Sequence, residues 1–144
     1  MQLNLSRAVG GRHTEYPAPV IADLTVSALD GRAHPRRWEG VIDTGADLSV
    51  IPVDLCAELH LDQVRQKVRV WTYRKEEQPR ELDVYYLRLA FSSGLEVLTK
   101  AITAQRRNIL IGRCALLKMR LVMDWPANVW SLEDASFTST PKAR

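Results

Sequence analysis

The sequence predicts an all-β fold, either a barrel or a sandwich, with one or two short helices. Short segments rich in β-branched residues recur along the chain, separated by turn residues at intervals of about 8–12 residues. Only two segments show the 3.6-residue spacing of a helix. The length of 144 residues suits one domain, and a hydrophobic content of 46% supplies one core.

Nine strands are predicted from these segments in chain order. The first ends at Asp30 and Gly31, which form a turn signal, and the second leads directly into a polar loop. The fourth and fifth flank the charged stretch 74–80, so we expect them to form a hairpin with a polar tip. The predicted strands are 20–29, 38–42, 48–51, 67–73, 82–91, 95–104, 108–111, 121–125 and 128–132.

Two short helices complete the predicted fold. Pro52 stands where a helix can begin, and residues 53–60 carry apolar side chains at helical spacing. Residues 113–119 suit a second helix of about two turns. The polar ends of the chain are expected to form a loose N-terminal arm, 1–16, and a flexible C-terminal tail, 133–144.

The charge distribution argues against a nucleic-acid partner. The net charge is +3 and the pI is about 9.1, but the closest basic residues form only the pairs 36–37, 74–75 and 106–107. A nucleic-acid interface normally concentrates its basic residues on one face or one helix. We therefore expect these pairs to be solvated surface charges.

Several other classes of protein are disfavoured by composition. No stretch approaches the ~18 apolar residues of a membrane helix, and the N-terminus lacks the basic and apolar regions of a signal peptide. We expect a cytoplasmic protein with no membrane partner. The two Cys and three scattered His lack metal-ligand spacing, so no metal or other cofactor is expected.

The candidate chemistry lies in the segment VIDTGADLSVIP, residues 41–52. Asp43 follows directly after an apolar strand, and Thr44 and Gly45 supply a hydroxyl and a position where the backbone can approach a neighbour closely. The alternative interpretation is an ordinary turn at the end of a strand, because Asp and Gly both favour turns.

The segment 41–52 resembles the active-site loop of retropepsins, the single-domain aspartic proteases of retroviral type. A second segment, NILIGR at 108–113, resembles the strand that closes the ψ-shaped structure beneath that loop. Between them lies the polar-tipped hairpin, where the family has its flap. The resemblance covers roughly residues 17–132, which we predict to be the protease domain, and it implies a closed acid-protease barrel.

The resemblance implies an aspartic endopeptidase that works as a two-fold homodimer on a peptide or protein substrate. The chain contains one Asp-Thr-Gly, so each subunit would contribute one Asp43 to a dyad on the two-fold axis. Two adjacent carboxylates share one proton. One would act as general base on the attacking water, and its protonated partner would act as general acid.

The remaining residues of the loop have roles implied by the same resemblance. Thr44 would bond across the dimer to the opposite loop, and Gly45 would let the backbone come close to the substrate. Ala46 cannot donate a side-chain hydrogen bond to a carboxylate, as Ser or Thr would. We therefore expect a mildly acidic pH optimum.

The second segment is expected to support the loop. The resemblance implies that Arg113 reaches back to bond Asp47, which would also meet the substrate backbone; the alternative is that both are surface charges. Gly112 belongs to the supporting strand, and Ile111 is expected in the core or the pocket wall. Cys114 departs from the Asp or Asn common at this place. A small buried apolar residue is its expected role, and a redox-sensitive position near the dimer interface is the alternative.

The flap and the dimer interface carry open alternatives. Trp71, Thr72 and Tyr73 lie either near the substrate or in the hairpin packing. The tip, 74–80, lacks the glycine that family flaps often carry. For the interface we favour the chain terminus at 128–132 over residues 1–9, because Val129, Trp130 and Leu132 could pair across the axis.

Two other functions compete with the enzyme. A dimerisation or peptide-binding module with the same fold and little or no turnover is favoured by the glycine-free tip and Cys114. Nucleic-acid binding is the weakest candidate, because it rests on net charge alone. The intact loop sequence at 41–46 favours the enzyme.

Overall fold

The computed structural model describes residues 18–70 and 78–135, together with the backbone of 9–12. These residues form ten strands and two short helices. The strands are β1 (Val9–Arg12), β2 (Val20–Ser27), β3 (Trp38–Ile42), β4 (Ser49–Pro52), β5 (Gln63–Val70), β6 (Arg80–Ala90), β7 (Glu96–Ala104), β8 (Ile109–Ile111), β9 (Met119–Asp124) and β10 (Val129–Asp134), and the helices are α1 (Val53–Leu59) and α2 (Arg113–Leu116).

The predicted all-β fold with two short helices is confirmed. Strand β3 has the bounds that were predicted for 38–42, and helix α1 ends one residue before its predicted end. The second helix is shorter than predicted, because the chain turns after Leu116 and enters β9 at Met119. A strand that was not predicted, β1, contains two glycines and forms by pairing with β10.

Seven strands form one large sheet in the order β2-β3-β8-β4-β7-β6-β5. A further pairing joins the first strand of this order, β2, to the next-to-last, β6, so six of these strands make a closed ring. The last strand, β5, extends the long β6 beyond the ring as a hairpin. This hairpin is the predicted one, and its tip lies outside the described residues.

The centre of the large sheet determines where the candidate loop lies. Strand β8 runs parallel to β3, with Ile42 opposite Ile111. On its other side β8 is antiparallel to β4, with Val50 opposite Leu110. The loop that joins β3 to β4 must therefore pass over the carboxyl end of β8.

The core is built from the inward faces of these strands. Burial alternates along β3, where Trp38, Gly40 and Ile42 face inward, as expected for strands with one solvated face. Helix α1 adds Leu55 and Leu59 to the same core. The largest fully buried apolar side chains are Leu24, Val26, Ile51, Leu55, Val84, Leu87, Leu89, Leu95, Ile109, Ile111 and Leu132.

A separate three-stranded sheet has the order β1-β10-β9. Its middle strand, β10, is paired on both edges, and its Trp130 and Leu132 are buried in the core. The expectation that Trp130 and Leu132 pair across a two-fold axis is therefore wrong, because their side chains are buried within the chain and both edges of β10 are occupied. The predicted boundaries at 16 and 132 stay predictions, although β1 and the end of β10 extend the folded structure past them.

No helix within 18–70 and 78–135 is long and apolar enough to cross a membrane.

Two glycines allow strands to approach closely, and they differ in what surrounds them. A Cβ on Gly112 would collide with the Leu48 carbonyl group and lie 2.8 Å from the Ser49 nitrogen, all of them backbone atoms. A Cβ on Gly40 would lie 2.5 Å from Leu24 Cδ1, which belongs to a movable side chain. The φ of Gly112 is −83°, so the constraint there is space rather than backbone conformation.

We predict that Gly112→Ala destabilises the protein more than Gly40→Ala does. Side-chain movement can relieve the second substitution, whose cost should be about 1–3 kcal/mol, as usual for overpacking. The first requires a shift of the loop backbone and should cost more. Urea unfolding of both variants measures this difference, and equal costs would contradict the account of a backbone constraint at Gly112.

Candidate active site

The loop 43–47 is held against the segment 111–114 by three backbone hydrogen bonds. The Asp43 N–H donates to the Ile111 carbonyl at 3.0 Å. The Arg113 N–H donates to the Ala46 carbonyl at 2.8 Å, and the Cys114 N–H donates to the Asp47 carbonyl at 3.0 Å. All three bonds use main-chain atoms, so the strand pairing beneath the loop sets its position.

The Asp43 carboxylate is oriented from within its own loop. Its Oδ1 accepts a hydrogen bond from the Gly45 N–H at 3.0 Å, and its carbonyl accepts from the Ala46 N–H at 3.2 Å. A Cβ on Gly45 would lie only 3.2 Å from Oδ1. Gly45 therefore serves this close turn, and the exposed Thr44 next to it presents its side chain to solvent.

An apolar cavity of about 290 Å³ opens beside the carboxylate. Asp43 and Thr44 form its polar side, and Trp125, at the turn after β9, is half exposed. The other lining residues come from the chain before β2, the end of β3 and the inner side of β9: Ala18, Pro19, Ile42, Leu121 and Met123. Sequence reasoning missed this contribution of β9, because nothing in the local pattern of 119–125 indicates what lies opposite.

The predicted contact between Asp47 and Arg113 is present as an ion pair from Arg113 Nη2 to Asp47 Oδ1. Both side chains remain largely exposed, at 82% for Asp47 and 57% for Arg113. The free oxygen of Asp47 and the remaining guanidinium donors thus face outward. Their role toward substrate or a second subunit stays a prediction.

Of the other predicted site residues, two are buried beneath the loop and three are not described by the structure. Ile111 is fully buried and Gly112 is buried, so both support the loop from beneath. Trp71, Thr72 and Tyr73 lie outside the described residues, and their placement near the substrate stays a prediction.

One basic pair differs from expectation. Arg106 is half buried rather than solvated, and its Nε and Nη2 donate to the Asn108 side-chain oxygen at 3.1 and 2.6 Å. Burial lowers the pKa of Arg106, and the charge of Asp43 partly opposes that effect. The field of the Asp43 carboxylate therefore reaches this guanidinium.

The Cys56 thiol lies in an environment that disfavours its charged form. Burial raises the pKa of the Cys56 thiol, although a hydrogen bond with Tyr85 partly offsets it. A buried thiol of this kind stays protonated near neutral pH and is a poor nucleophile. In the part of the chain that the structure describes, no group of three or more His, Cys, Asp or Glu is arranged to hold a metal ion.

No protein-family model matches the sequence, and no curated protein matches it. Solved structures do match. A retropepsin-like aspartic protease from Rickettsia conorii is 16% identical, with a TM-score of 0.49 over 81% of this chain and 95% of that one. EIAV protease in complex with the inhibitor HBY-793 is 16% identical, with a TM-score of 0.46 over 74% and 92% of the two chains.

The chain resembles retropepsin-like proteases. A foamy viral protease-reverse transcriptase in complex with an RNA/DNA hybrid is also similar, at 19% identity and a TM-score of 0.48 over 78% of this chain. The present chain spans only 14% of that larger protein.

We predict that Arg113→Ala loosens the loop without unfolding the protein. An exposed ion pair contributes at most about 1 kcal/mol, so amide exchange in 43–47 should rise by no more than about fivefold. Arg120→Ala is the matched control, because it removes a pair with Glu133 that lies on the three-stranded sheet. Unchanged exchange in 43–47 together with unchanged sedimentation would remove the supporting role of Arg113.

Proposed function

We propose that this protein is an aspartic endopeptidase in which two copies of Asp43, one from each subunit of a homodimer, activate a water molecule. The proposal rests above all on the placement of Asp43, whose carboxylate is oriented by the Gly45 N–H on a loop tied to β8. The sequence VIDTGA at 41–46 supports the same assignment through its resemblance to the retropepsin loop.

The chemistry explains why a second subunit is needed. An ionised carboxylate takes a proton from water as the water oxygen attacks the peptide carbonyl carbon. A protonated carboxyl bonds the carbonyl oxygen and then supplies a proton to the leaving nitrogen as the C–N bond breaks. Two adjacent carboxyl groups that share one proton meet both requirements, and one chain contains a single Asp-Thr-Gly.

The surface around Asp43 supports the proposed dimer. Thr44 is exposed beside the carboxylate, and the neighbouring cavity is mostly apolar, with Trp125 53% exposed at its edge. Large apolar side chains in such positions favour contact with another protein surface. We propose that the partner's equivalent loop covers this area and that Thr44 bonds across the axis.

The substrate is proposed to be an extended peptide with apolar side chains near the cut bond. The hairpin of β5 and β6 projects beyond the ring of strands, with Val68 opposite Leu82 on its half-buried face. A peptide held between such a hairpin and the loop would gain backbone hydrogen bonds by adding as a strand.

We predict that Asp43→Asn abolishes cleavage of a peptide library at pH 4–7, because the amide can neither accept the proton of water nor share one. Asp62→Asn is the matched control, since Asp62 is exposed and distant in sequence. Mass spectrometry identifies the cut sites. If folded wild-type protein makes no cuts at concentrations that hold a dimer, the non-catalytic peptide-binding module becomes the better account.

We predict a mildly acidic pH optimum that Ala46→Ser shifts toward lower pH. A hydroxyl donated to a carboxylate favours its charged form and lowers its pKa, so the base form persists further into acid and the acidic limb moves down. Ala46→Val, which adds volume without a donor, should leave that limb in place. A wild-type profile that peaks below about pH 3 would contradict the prediction, since ordinary carboxyl groups titrate near 4.

A further inference from the structure

Three polar side chains that contact one another in a row lie beneath the candidate loop and link it to β7; we call this row the hydroxyl chain. Ser49 is fully buried, Thr99 is 2% exposed, and Cys114 is half buried. The hydroxyls of Ser49 and Thr99 are 2.8 Å apart, and Thr99 Oγ1 is 3.1 Å from Cys114 Sγ. The Gly112 N–H donates to Ser49 Oγ at 3.1 Å.

The direction of each hydrogen bond in the hydroxyl chain follows from its backbone partners, the Lys100 carbonyl and the Gly112 N–H. Cys114 Sγ donates to the Lys100 carbonyl at 3.3 Å, and Thr99 Oγ1 donates to the same carbonyl at 3.1 Å. In this assignment the contact between Thr99 Oγ1 and Cys114 Sγ has no hydrogen of its own, because both groups donate to Lys100. Thr99 is free to accept from Ser49, whose oxygen in turn accepts from Gly112. This direction gives each hydroxyl one donated and one accepted bond. Bonds aligned in this way reinforce one another in a low-dielectric interior.

The Gly112 amide has a particular need for this acceptor. The pairing of β8 with β3 ends at Ile111, and its one pairing with β4 is at Leu110, so neither ladder extends to Gly112. Its backbone is pressed against Leu48 and Ser49 too closely to admit a Cβ. A side-chain oxygen therefore takes the place of a strand partner where the chain is most crowded.

We propose that Ser49 and Thr99 are positioning residues that hold the segment 111–114, and through it the Asp43 loop, in register. The proposal rests on the proposed function, in which Asp43 is catalytic. The hydroxyl chain fixes Gly112, and the residues on either side of it bind the loop: Ile111 receives the Asp43 N–H and Arg113 donates to Ala46. Neither hydroxyl contacts the substrate or the carboxylate.

The test compares Thr99→Val with Thr99→Ser. Valine has nearly the shape of threonine and no hydroxyl, whereas serine keeps the hydroxyl and loses the methyl group. Amide exchange at Gly112 and Arg113 is measured by NMR, with the buried Leu132 in the separate three-stranded sheet as an internal reference. The kinetic constants for a cleaved library peptide are measured on the same samples.

Thr99→Val is expected to raise exchange at Gly112 and Arg113 by about tenfold relative to Leu132, and to lower kcat by a similar factor with little change in KM. Thr99→Ser is expected to stay within about threefold of wild type in both measurements. If Thr99→Val does not fold, Ser49→Ala tests the same point, because it removes the acceptor of the Gly112 N–H and changes the side-chain volume little.

Equal effects of valine and serine would overturn the proposal, since they would trace the effect to packing of the methyl group. Unchanged exchange at Gly112 in Thr99→Val or Ser49→Ala would overturn it as well. The exchange measurement does not depend on turnover. A wild-type protein without activity would therefore contradict the proposed function, while the expected exchange pattern would still support the anchoring of the loop by the two hydroxyls.

Discussion

The crossing of the 43–47 loop over the end of β8 is the constraint on which the rest of this structure depends. At Gly112 the two chain segments are so close that no Cβ fits between them. The crossing follows from strand order, because β8 is parallel to β3 and antiparallel to β4. It converts a flexible turn into a loop with fixed backbone contacts, and a carboxylate on such a loop has a defined direction.

The two sides of this crossing differ in burial. The side chains beneath it are buried and hydrogen-bonded, whereas those above it, Thr44 and Asp47, are exposed. Buried polar groups specify one arrangement when all are satisfied. On the exposed side an apolar cavity lies beside Asp43, and the proposed second subunit would cover it.

Local patterns in the sequence predicted the elements well and the long-range contacts poorly. The strand Trp38–Ile42 was predicted with its observed bounds, because alternation and the polar residues after it are local signals. β1 was missed because Gly10 and Gly11 have low strand propensity and pair with a segment near the other terminus. The bond from Ser49 to Thr99 joins residues 50 positions apart, which no periodicity indicates.

The two motifs at 41–52 and 108–113 predicted the contacts between the residues that they contain. The pairing of Asp47 with Arg113, 66 positions away, followed from the resemblance and is present. The cavity wall from β9 and the partial burial of Arg106 were not predicted, because they depend on which surfaces the fold brings together. The proposed interface at 128–132 was wrong for the same reason: an apolar strand pattern does not reveal that both its edges are occupied.

The most direct test of the central claim is a subunit-mixing experiment. Wild-type and Asp43→Asn chains are mixed in equal amounts, allowed to exchange, and assayed at fixed total protein. If each active site needs two copies of Asp43, only about a quarter of the dimers carry both, and activity falls to about a quarter. Activity of about half is expected if each subunit works alone, and activity of about three quarters if one Asp43 per dimer suffices. Either result would contradict a site that needs Asp43 from both subunits.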